Sequence, residues 1–479
     1  MDPTFLPAWR LAELTRARTI GCLELLDHYI GRVERLDERI NAVVVRDFAR
    51  ARARARALDG QGEKSAPLFG VPMTVKESFD LTGHPTTWGY EDRREHRAEQ
   101  DALAVQRIER AGAVVFGKTN VPVALGDWQS YNPVYGATSN PWDVSRTPGG
   151  SSGGGAAAVA AGLSALEIGT DIGGSIRVPA HFCGIFGHKP TWGLCPVRGH
   201  SLANAAAMTD ISVLGPLARS ARDLRLALDA LAGPDPIDTD LTMRLAEPRA
   251  HGLRDLRIVV WSHQPGQATS RETTALIEAL ADEFERGGAE VSRAARPAFD
   301  VSEAYHLYLT LLDAALSARA PEDLLARKRE RKARLRPEDN SADDVIVRAV
   351  DLTHRDWLRL NERRHQIRRA WAAFFENWDV LLCPTHAVPA LPHMQDGATS
   401  QRRYTVEGRT IAYNDMLFWP GITCGYHLPA SVAPIGMSGD GLPIGVQIVG
   451  NLFGDRTTIQ VADLIEKAGH GFTAPPDWV

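Results

Sequence analysis

The chain has 479 residues, of which 44% are hydrophobic and 24% charged, and its formal net charge is −5. This balance is typical of a globular protein and gives no electrostatic reason to expect a nucleic acid or an anionic membrane as a partner. The N-terminal residues do not resemble a secretory signal, and no apolar run approaches the ~18 residues of a membrane-spanning helix. Five scattered cysteines argue against a disulfide framework. We therefore expect a cytoplasmic protein.

The first part of the chain is predicted to be helical. Residues 11–59 carry apolar side chains at helical spacing, which indicates two or three helices. They include the run RARARARA, whose alternating Arg and Ala are typical of a solvated helix. In an acidic chain we favour that interpretation over an arm that binds nucleic acid.

From residue 68 onward, helical and strand patterns alternate. The strand candidates are FGVPMTVK, AVVFGK, SALEIG, RIVVW, DVLLCP, ASVAPIG and GVQIVG. Helices are predicted over 101–111 and 156–163, and residues 316–370 are charged and helical. This alternation predicts an α/β protein whose sheet is covered by helices.

Three short motifs match known signatures without the context that those signatures need. GAVVFGKT fits a phosphate-binding loop, but its four central residues favour a strand rather than a curled loop. GGSSG fits a nucleophile elbow around Ser151, but the Pro- and Asn-rich residues before it do not favour a strand. Two C-x-x-H units could hold zinc, yet Cys383 lies in an apolar strand candidate. These units are Cys383/His386 and Cys424/His427.

Two glycine-serine segments contain the candidate catalytic serines. TPGGSSGGG (147–155) contains Ser151 and Ser152, with no histidine or carboxylate beside them. GTDIGGSIR (169–177) places Ser175 after two glycines. Consecutive glycines let the backbone present N–H groups toward one point, as in an oxyanion hole. A serine in such a turn is suited to acyl transfer.

Together these segments resemble the amidase signature family, serine hydrolases that act on carbon–nitrogen bonds. The hallmark of the family stands here as GGSSGGGAAAVAAGLSALEIGTDIGGSIR, and VPMTVKES, GKTN, DVLLCPT and GLPIGVQIVG are also similar. The resemblance implies one domain over residues 1–479, with a central mixed, twisted β-sheet covered by helices on both faces. It further implies a catalytic signature core over 65–230 and a helical, substrate-side surface region over 295–370.

Carried over residue by residue, the resemblance implies that Ser175 is the nucleophile, Ser151 the bridging serine and Lys76 the general base. A cis peptide bond is expected before Ser151. The expected oxyanion hole consists of the backbone N–H groups of Ile172, Gly173, Gly174 and Ser175. The expected supporting residues are Ser152, Asp171 and Arg177, and for the last two a purely structural ion pair is equally open.

The base must be an uncharged amine. The pKa of a lysine is about 10.4 in water, so Lys76 can accept a proton at neutral pH only if burial lowers it. Lys76 ends an apolar strand candidate, which favours such burial. No metal or organic cofactor is expected. Glu77 and Ser78 follow the lysine where the family often has Asp-Asn, which leaves the tuning of the lysine open.

The expected substrate is a small carboxylic amide, with aryl amides, anilides, carbamates and aryl esters as further candidates. The candidate contacts are Leu125, Asp127, Trp128 and Trp88, although the two tryptophans are equally well interpreted as core aromatics. Aromatic residues in 300–345 and in FWPGITCGYH favour a hydrophobic or aryl substrate. A homodimer is left open, and no nucleic acid or membrane partner is expected.

Two other enzymatic interpretations remain. One is a glutaminase-type subunit of a tRNA-dependent amidotransferase, which would work only inside a complex. The other is an α/β-hydrolase esterase with Ser151 as nucleophile. A non-catalytic family member is disfavoured, since Lys76, Ser151 and Ser175 are all present.

Overall fold

The computed structural model describes residues 2–62, 65–202, 207–238, 240–318 and 320–479. Its α-helices are α1 (Ala8–Arg16), α2 (Cys22–Leu36), α3 (Phe48–Asp59), α4 (Leu103–Arg110), α5 (Gly153–Ala160), α6 (Arg177–Cys183), α7 (Ala221–Leu231), α8 (Arg271–Arg286), α9 (Val301–Ser317), α10 (Glu322–Lys332), α11 (Ala342–Arg348), α12 (His354–Asn377), α13 (Phe418–Cys424) and α14 (Asp455–Lys467).

Its strands are β1 (Val43–Arg46), β2 (Pro72–Lys76), β3 (Val114–Thr119), β4 (Tyr131–Asn132), β5 (Gly136–Ala137), β6 (Leu166–Asp171), β7 (Phe186–Lys189), β8 (Val213–Ala218), β9 (Arg257–Val260), β10 (Glu290–Ser292), β11 (Val380–Pro384), β12 (Arg403–Val406), β13 (Arg409–Ala412), β14 (Ala430–Met437) and β15 (Pro443–Val449).

Eleven of these strands form one sheet in the order β1-β3-β2-β6-β8-β7-β14-β15-β11-β9-β10. The sheet is mixed: β2 lies parallel to both β3 and β6, whereas β8 lies antiparallel to β6 and β7. The predicted α/β fold, one domain with a large mixed sheet, is thereby confirmed.

Both faces of the sheet are covered. In β9, Ile258 and Val260 belong to one apolar cluster, whereas Val259 between them belongs to a second. Successive side chains of a strand point to opposite faces, so the two clusters lie on the two sides of the sheet. The first includes residues from α1–α4, α7, α8 and α14, and the second residues from α6, α9 and α11–α13.

The first part of the chain departs from the purely helical prediction. Residues 11–59 contain α1–α3 but also β1, whose sequence VVVR pairs antiparallel with β3. β-Branched residues favour a strand, and this one is too short to interrupt the helical periodicity around it. The run RARARARA lies on α3, as predicted.

The predicted core over 65–230 and the predicted region over 295–370 contain residues 203–206 and 319, which lie outside the described residues. The latter region contributes α9, α10, α11 and most of α12. Within the described parts of the chain, no helix is both long enough and apolar enough to cross a bilayer.

Candidate active site

Lys76 is the last residue of β2, and it is fully buried. Its Nζ lies 2.6 Å from Ser151 Oγ and 2.8 Å from Thr170 Oγ1. Burial lowers the pKa of Lys76 to about 7, and it outweighs the nearby carboxyl groups of Asp171 and Glu167, which would raise the pKa when ionised. A large fraction of this amine is therefore uncharged at neutral pH.

The two glycine-serine segments lie side by side. The Ser152 N–H donates to the Ser175 carbonyl oxygen at 3.1 Å, and the Ser152 hydroxyl lies 3.3 Å from both the N and the O of Thr170. The peptide bond before Ser151 is cis. Ser151 is 1% exposed and Ser175 6%, so Ser175 is the more accessible of the two hydroxyl-bearing residues.

The glycines of the first segment are required by close packing. A Cβ atom on Gly150 would lie 2.5 Å from the carbonyl oxygen of Asp127, and one on Gly154 would lie 2.4 Å from the backbone nitrogen of Asn120. Real side chains do not approach backbone atoms so closely. TPGGSSGGG is therefore a tightly packed turn leading into α5 rather than a flexible linker.

The turn after β6 offers fewer free N–H groups than the sequence predicts. Gly174, with φ of +104°, donates its N–H to Asp171 Oδ1 at 2.8 Å, so that amide is already engaged. The N–H groups of Ile172, Gly173 and Ser175 find no acceptor among the described residues. The structure thus leaves three of the four expected donors for an oxyanion.

Asp171 and Arg177 form a fully buried ion pair behind this turn. The Arg177 guanidinium contacts both carboxylate oxygens, with Nε–Oδ2 and Nη2–Oδ1 distances of 3.0 and 2.9 Å. Burial alone would raise the pKa of Asp171, but the guanidinium outweighs it and holds the pKa well below its usual range. Asp171 therefore shapes the turn as an ionised acceptor.

Asp127 and Trp128, two of the expected substrate contacts, have side-chain polar atoms that bond to other protein groups. The Asp127 carboxylate is buried, with Oδ2 at 2.5 Å from Arg402 Nη1 and Oδ1 at 2.7 Å from the Tyr413 hydroxyl. The Trp128 indole N–H donates to the Gly173 carbonyl oxygen at 3.0 Å. Both side chains are thus engaged with the protein, and Trp128 braces the turn after β6. Sequence reasoning missed Arg402 and Tyr413 because no local motif marks them.

Trp88 and Leu125 remain partly exposed. The Glu77 carboxylate accepts the Trp88 backbone N–H at 3.0 Å, and the Trp88 indole N–H donates to the Ser78 carbonyl oxygen at 3.2 Å. The ring of Trp88 lies 5.0 Å from that of His200. Glu77, the departure from the usual family residue, thereby holds the Trp88 loop beside the strand that carries Lys76.

The phosphate-loop and elbow motifs have other roles. Most of GAVVFGKT forms β3, and Lys118 Nζ donates to the Pro85 carbonyl oxygen and lies 3.0 Å from Thr86 Oγ1. The residues just before Ser151 form no strand, so a strand–turn–helix elbow is absent from this described stretch. The elbow interpretation is therefore wrong.

Side chains of both C-x-x-H units bond to other protein groups. His386 Nδ1 contacts the Val388 carbonyl oxygen, and His427 Nε2 lies 3.1 Å from Asp210 Oδ1. Cys424 Sγ lies 2.9 Å from Arg177 Nη2. Over the described ranges of the chain, no group of three or more His, Cys, Asp or Glu side chains is arranged to hold a metal ion.

Comparison with known proteins agrees with this architecture. The family model described as Amidase matches residues 24–459. The chain belongs to the amidase family. It is 32% identical to a glutamyl-tRNA(Gln) amidotransferase subunit from Anaeromyxobacter sp. strain K, covering 96% of both chains. It is 30% identical to an indoleacetamide hydrolase from Bradyrhizobium diazoefficiens, covering 96% of this chain and 87% of the relative.

The fold is also that of a solved family member. A bacterial aryl acylamidase of the amidase signature family superimposes with a TM-score of 0.81 at 27% identity, covering 98% of this chain and 97% of the other. Family and fold together identify the protein as an amide-hydrolysing enzyme, as the sequence predicted.

Proposed function

We propose that the protein hydrolyses small amides through an acyl-enzyme on Ser175, with Ser151 as the bridging serine and Lys76 as the general base. One observation carries this proposal: the buried amine of Lys76 lies between two hydroxyl groups, one of which belongs to Ser151. A hydroxyl can both donate and accept, so a proton can pass in either direction.

The proposed reaction uses a proton relay through two serines. Lys76 takes the proton of Ser151, Ser151 takes that of Ser175, and Ser175 Oγ forms a bond to the substrate carbonyl carbon. When the carbon–nitrogen bond breaks, the relay runs backward and protonates the leaving amine. Water then gives one proton to the relay and adds as hydroxide to the acyl carbon, and the relay returns a proton to Ser175 Oγ as its bond to that carbon breaks. No cofactor is needed in these reaction steps.

The N–H groups of Ile172, Gly173 and Ser175 are proposed to bind the negative oxygen of the tetrahedral intermediate. Two contacts brace this turn from outside, because the Trp128 indole N–H donates to the Gly173 carbonyl and the Tyr308 hydroxyl to that of Ile172. Donors held in place before reaction stabilise an oxyanion without the cost of reorganisation.

A hydrophobic or aryl amide, anilide or carbamate is the proposed substrate class. Leu417 and Pro420 approach Gly173 and Gly174 of the turn. Phe418, between them in the chain, contacts Tyr305 and Trp419 at centroid distances of 5.2 and 5.0 Å. The relatives named indoleacetamide hydrolase and aryl acylamidase support the same class. Trp88 and Leu125 stay proposed substrate contacts, and the α9–α12 region stays the proposed substrate side.

A fluorophosphonate probe followed by peptide mapping tests the nucleophile. We expect the label on Ser175, its loss in Ser175→Ala, and its retention in Ser152→Ala if that variant folds. Label on Ser151 would contradict the assignment. Turnover of a panel of aryl amides, aliphatic amides, carbamates and esters then ranks the substrate classes.

A glutaminase-type subunit is the second candidate, and the relative from the glutamyl-tRNA(Gln) amidotransferase favours it. The two functions differ in what the isolated chain does, because a dedicated subunit is nearly inert without its partners. Turnover of aryl amides by the purified chain supports the free hydrolase, and turnover of glutamine only in a complex supports the amidotransferase role.

The partner and location proposals rest on composition and surface. We propose a homodimer, supported by exposed leucines on three helices of the 295–370 region. These leucines are Leu316, Leu324 and Leu358. Light scattering of the purified protein tests the proposal. A cytoplasmic location, supported by the odd number of cysteines, is tested by cell fractionation.

A further inference from the structure

Glu167 is a buried carboxyl group near Lys76 that the proposed reaction does not use. It lies on β6 opposite Thr74 of β2, two residues before Lys76. Residues two apart on a strand share a face, so Thr74 and Lys76 point to the same side of the sheet. Glu167 is 0% exposed, and one oxygen contacts Thr74 Oγ1 while the other lies 2.8 Å from Thr119 Oγ1.

The hydrogen atoms of this cluster can be counted, because each hydroxyl carries one. Ser164 Oγ lies 2.8 Å from the Leu166 carbonyl oxygen, which can only accept, so the hydrogen of Ser164 is used there. Thr74 Oγ1 lies 2.9 Å from Ser164 Oγ, so Thr74 must donate to Ser164. The hydrogen in the short contact between Thr74 and Glu167 must then come from Glu167.

The other oxygen of Glu167 completes the same pattern. Thr119 donates to Oε1, which is the role of the carbonyl oxygen of a carboxylic acid. An ionised carboxylate would leave one of the buried oxygen–oxygen contacts of Thr74 without a hydrogen. Burial raises the pKa of Glu167 to about 8, in agreement with the hydrogen count.

We propose that Glu167 is a neutral carboxylic acid in the active enzyme, so that it does not stabilise the ammonium form of Lys76. This inference rests on the proposed function, in which Lys76 is the base. An ionised Glu167 would favour the ammonium form of Lys76, which cannot take the proton of Ser151. A neutral Glu167 leaves the amine free to accept it.

Among the described residues, the elements that pack around Glu167 offer no other unpaired charged group that an ionised Glu167 would stabilise. Helix α5, which approaches through Gly155, reads GGGAAAVA and contains no titratable side chain. Strand β8, which reads VLGPLA, has none either. On β3, the Lys118 ammonium is bonded to Pro85 and Thr86, and at the end of β6 Asp171 is paired with Arg177.

Infrared difference spectroscopy of the full-length enzyme tests the charge state directly. We expect a carbonyl band of a neutral carboxylic acid at pH 6–7 that Glu167→Gln removes and that fades as the pH rises through about 8. Glu77→Gln is the matched control, because the Glu77 carboxylate accepts the Thr87 and Trp88 N–H groups and should contribute no such band. Absence of a band sensitive to Glu167→Gln would overturn the inference.

Kinetics supply the second readout. The amide in Glu167→Gln can still donate to Thr74 and accept from Thr119, so the acid limb of kcat/KM should keep its position. If Glu167 were ionised, its removal would move that limb to lower pH by about one unit or more, which would overturn the inference.

If Glu167→Gln does not fold, Thr119→Val replaces it. Loss of the Thr119 hydrogen bond should raise the frequency of the same band, and an unchanged frequency would contradict the inference. Near-normal turnover by Lys76→Ala would instead overturn the proposed function, while leaving the band of Glu167 in place.

Discussion

Two buried lysines lie at the ends of neighbouring strands, and different acceptors hold them. Lys76 Nζ on β2 contacts two hydroxyls, whereas Lys118 Nζ on β3 contacts a carbonyl oxygen and one hydroxyl. Burial lowers the pKa of both, to about 7 and about 8. A carbonyl oxygen can only accept, so it favours an amine that keeps donating. Burial therefore makes an uncharged lysine available, but its partners decide whether it can serve as a base.

Replacing each lysine should separate the two roles most clearly. We expect Lys76→Ala to lower kcat by about 10³–10⁴-fold, because it removes the general base. Lys118→Ala, the matched control, should keep kcat within about tenfold of the wild-type value if it only anchors a loop. Steady-state kinetics on an aryl amide measures both. Equal losses of kcat in the two folded variants would remove the distinction.

The hydroxyl partners form a second matched pair. Thr170→Val removes one contact of Lys76, and we expect kcat to fall by about tenfold because the amine loses part of its orientation. Loss of this acceptor also disfavours the ammonium form of Lys76, so the acid limb of the kcat/KM profile should move to lower pH. Thr86→Val beside Lys118 should leave both quantities unchanged. A Thr170→Val enzyme with the wild-type kcat and an acid limb at the wild-type pH would contradict this role.

A smaller effect is expected on the pH dependence of stability. The pKa of Lys76 falls from 10.5 to about 7 on folding, so the unfolded chain binds more protons between these values. The free energy of unfolding should therefore rise with pH over this window, and Lys76→Met should lose that part of the rise. Lys118→Met should lose its part of the rise in the free energy of unfolding mainly between about pH 8 and pH 10.5. Urea titrations at pH 7, 8 and 9 measure the difference.

In these titrations the comparison between pH 7 and 8 is decisive, because over this interval the unfolded chain exceeds the folded chain in bound protons by more at Lys76 than at Lys118. An equal change of slope in both lysine variants over that interval would contradict the assigned difference between the two sites.

Local sequence was informative wherever the structure depends on neighbours in the chain. The strand patterns predicted β2, β3, β6, β9, β11, β14 and β15, because a strand buried on both faces is a short apolar run with clear ends. The same holds for the turn after β6, whose residues lie within nine positions. Strands β7, β8 and β10 were not among the predicted strands. The short strand β1 was missed because four residues cannot outweigh the helical pattern on either side.

Contacts between distant parts of the chain were not predictable from the sequence. Arg402 and Tyr413 lie 275 and 286 positions from Asp127, and nothing near any of these residues marks the pairing. The engagement of the Gly174 N–H by Asp171 likewise depends on the rotamer of one buried carboxylate. The roles of Lys76, Ser151 and Ser175 stay predictions that the geometry supports.

The rate of fluorophosphonate labelling of Ser175 as a function of pH tests the central claim most directly. The account predicts a rate that rises about tenfold per pH unit below a midpoint near 7, where Lys76 loses its proton, and a rate without that midpoint in Lys76→Ala. A wild-type rate that is flat from pH 5 to 9, or one whose midpoint lies near the ordinary lysine value of 10.5, would contradict it.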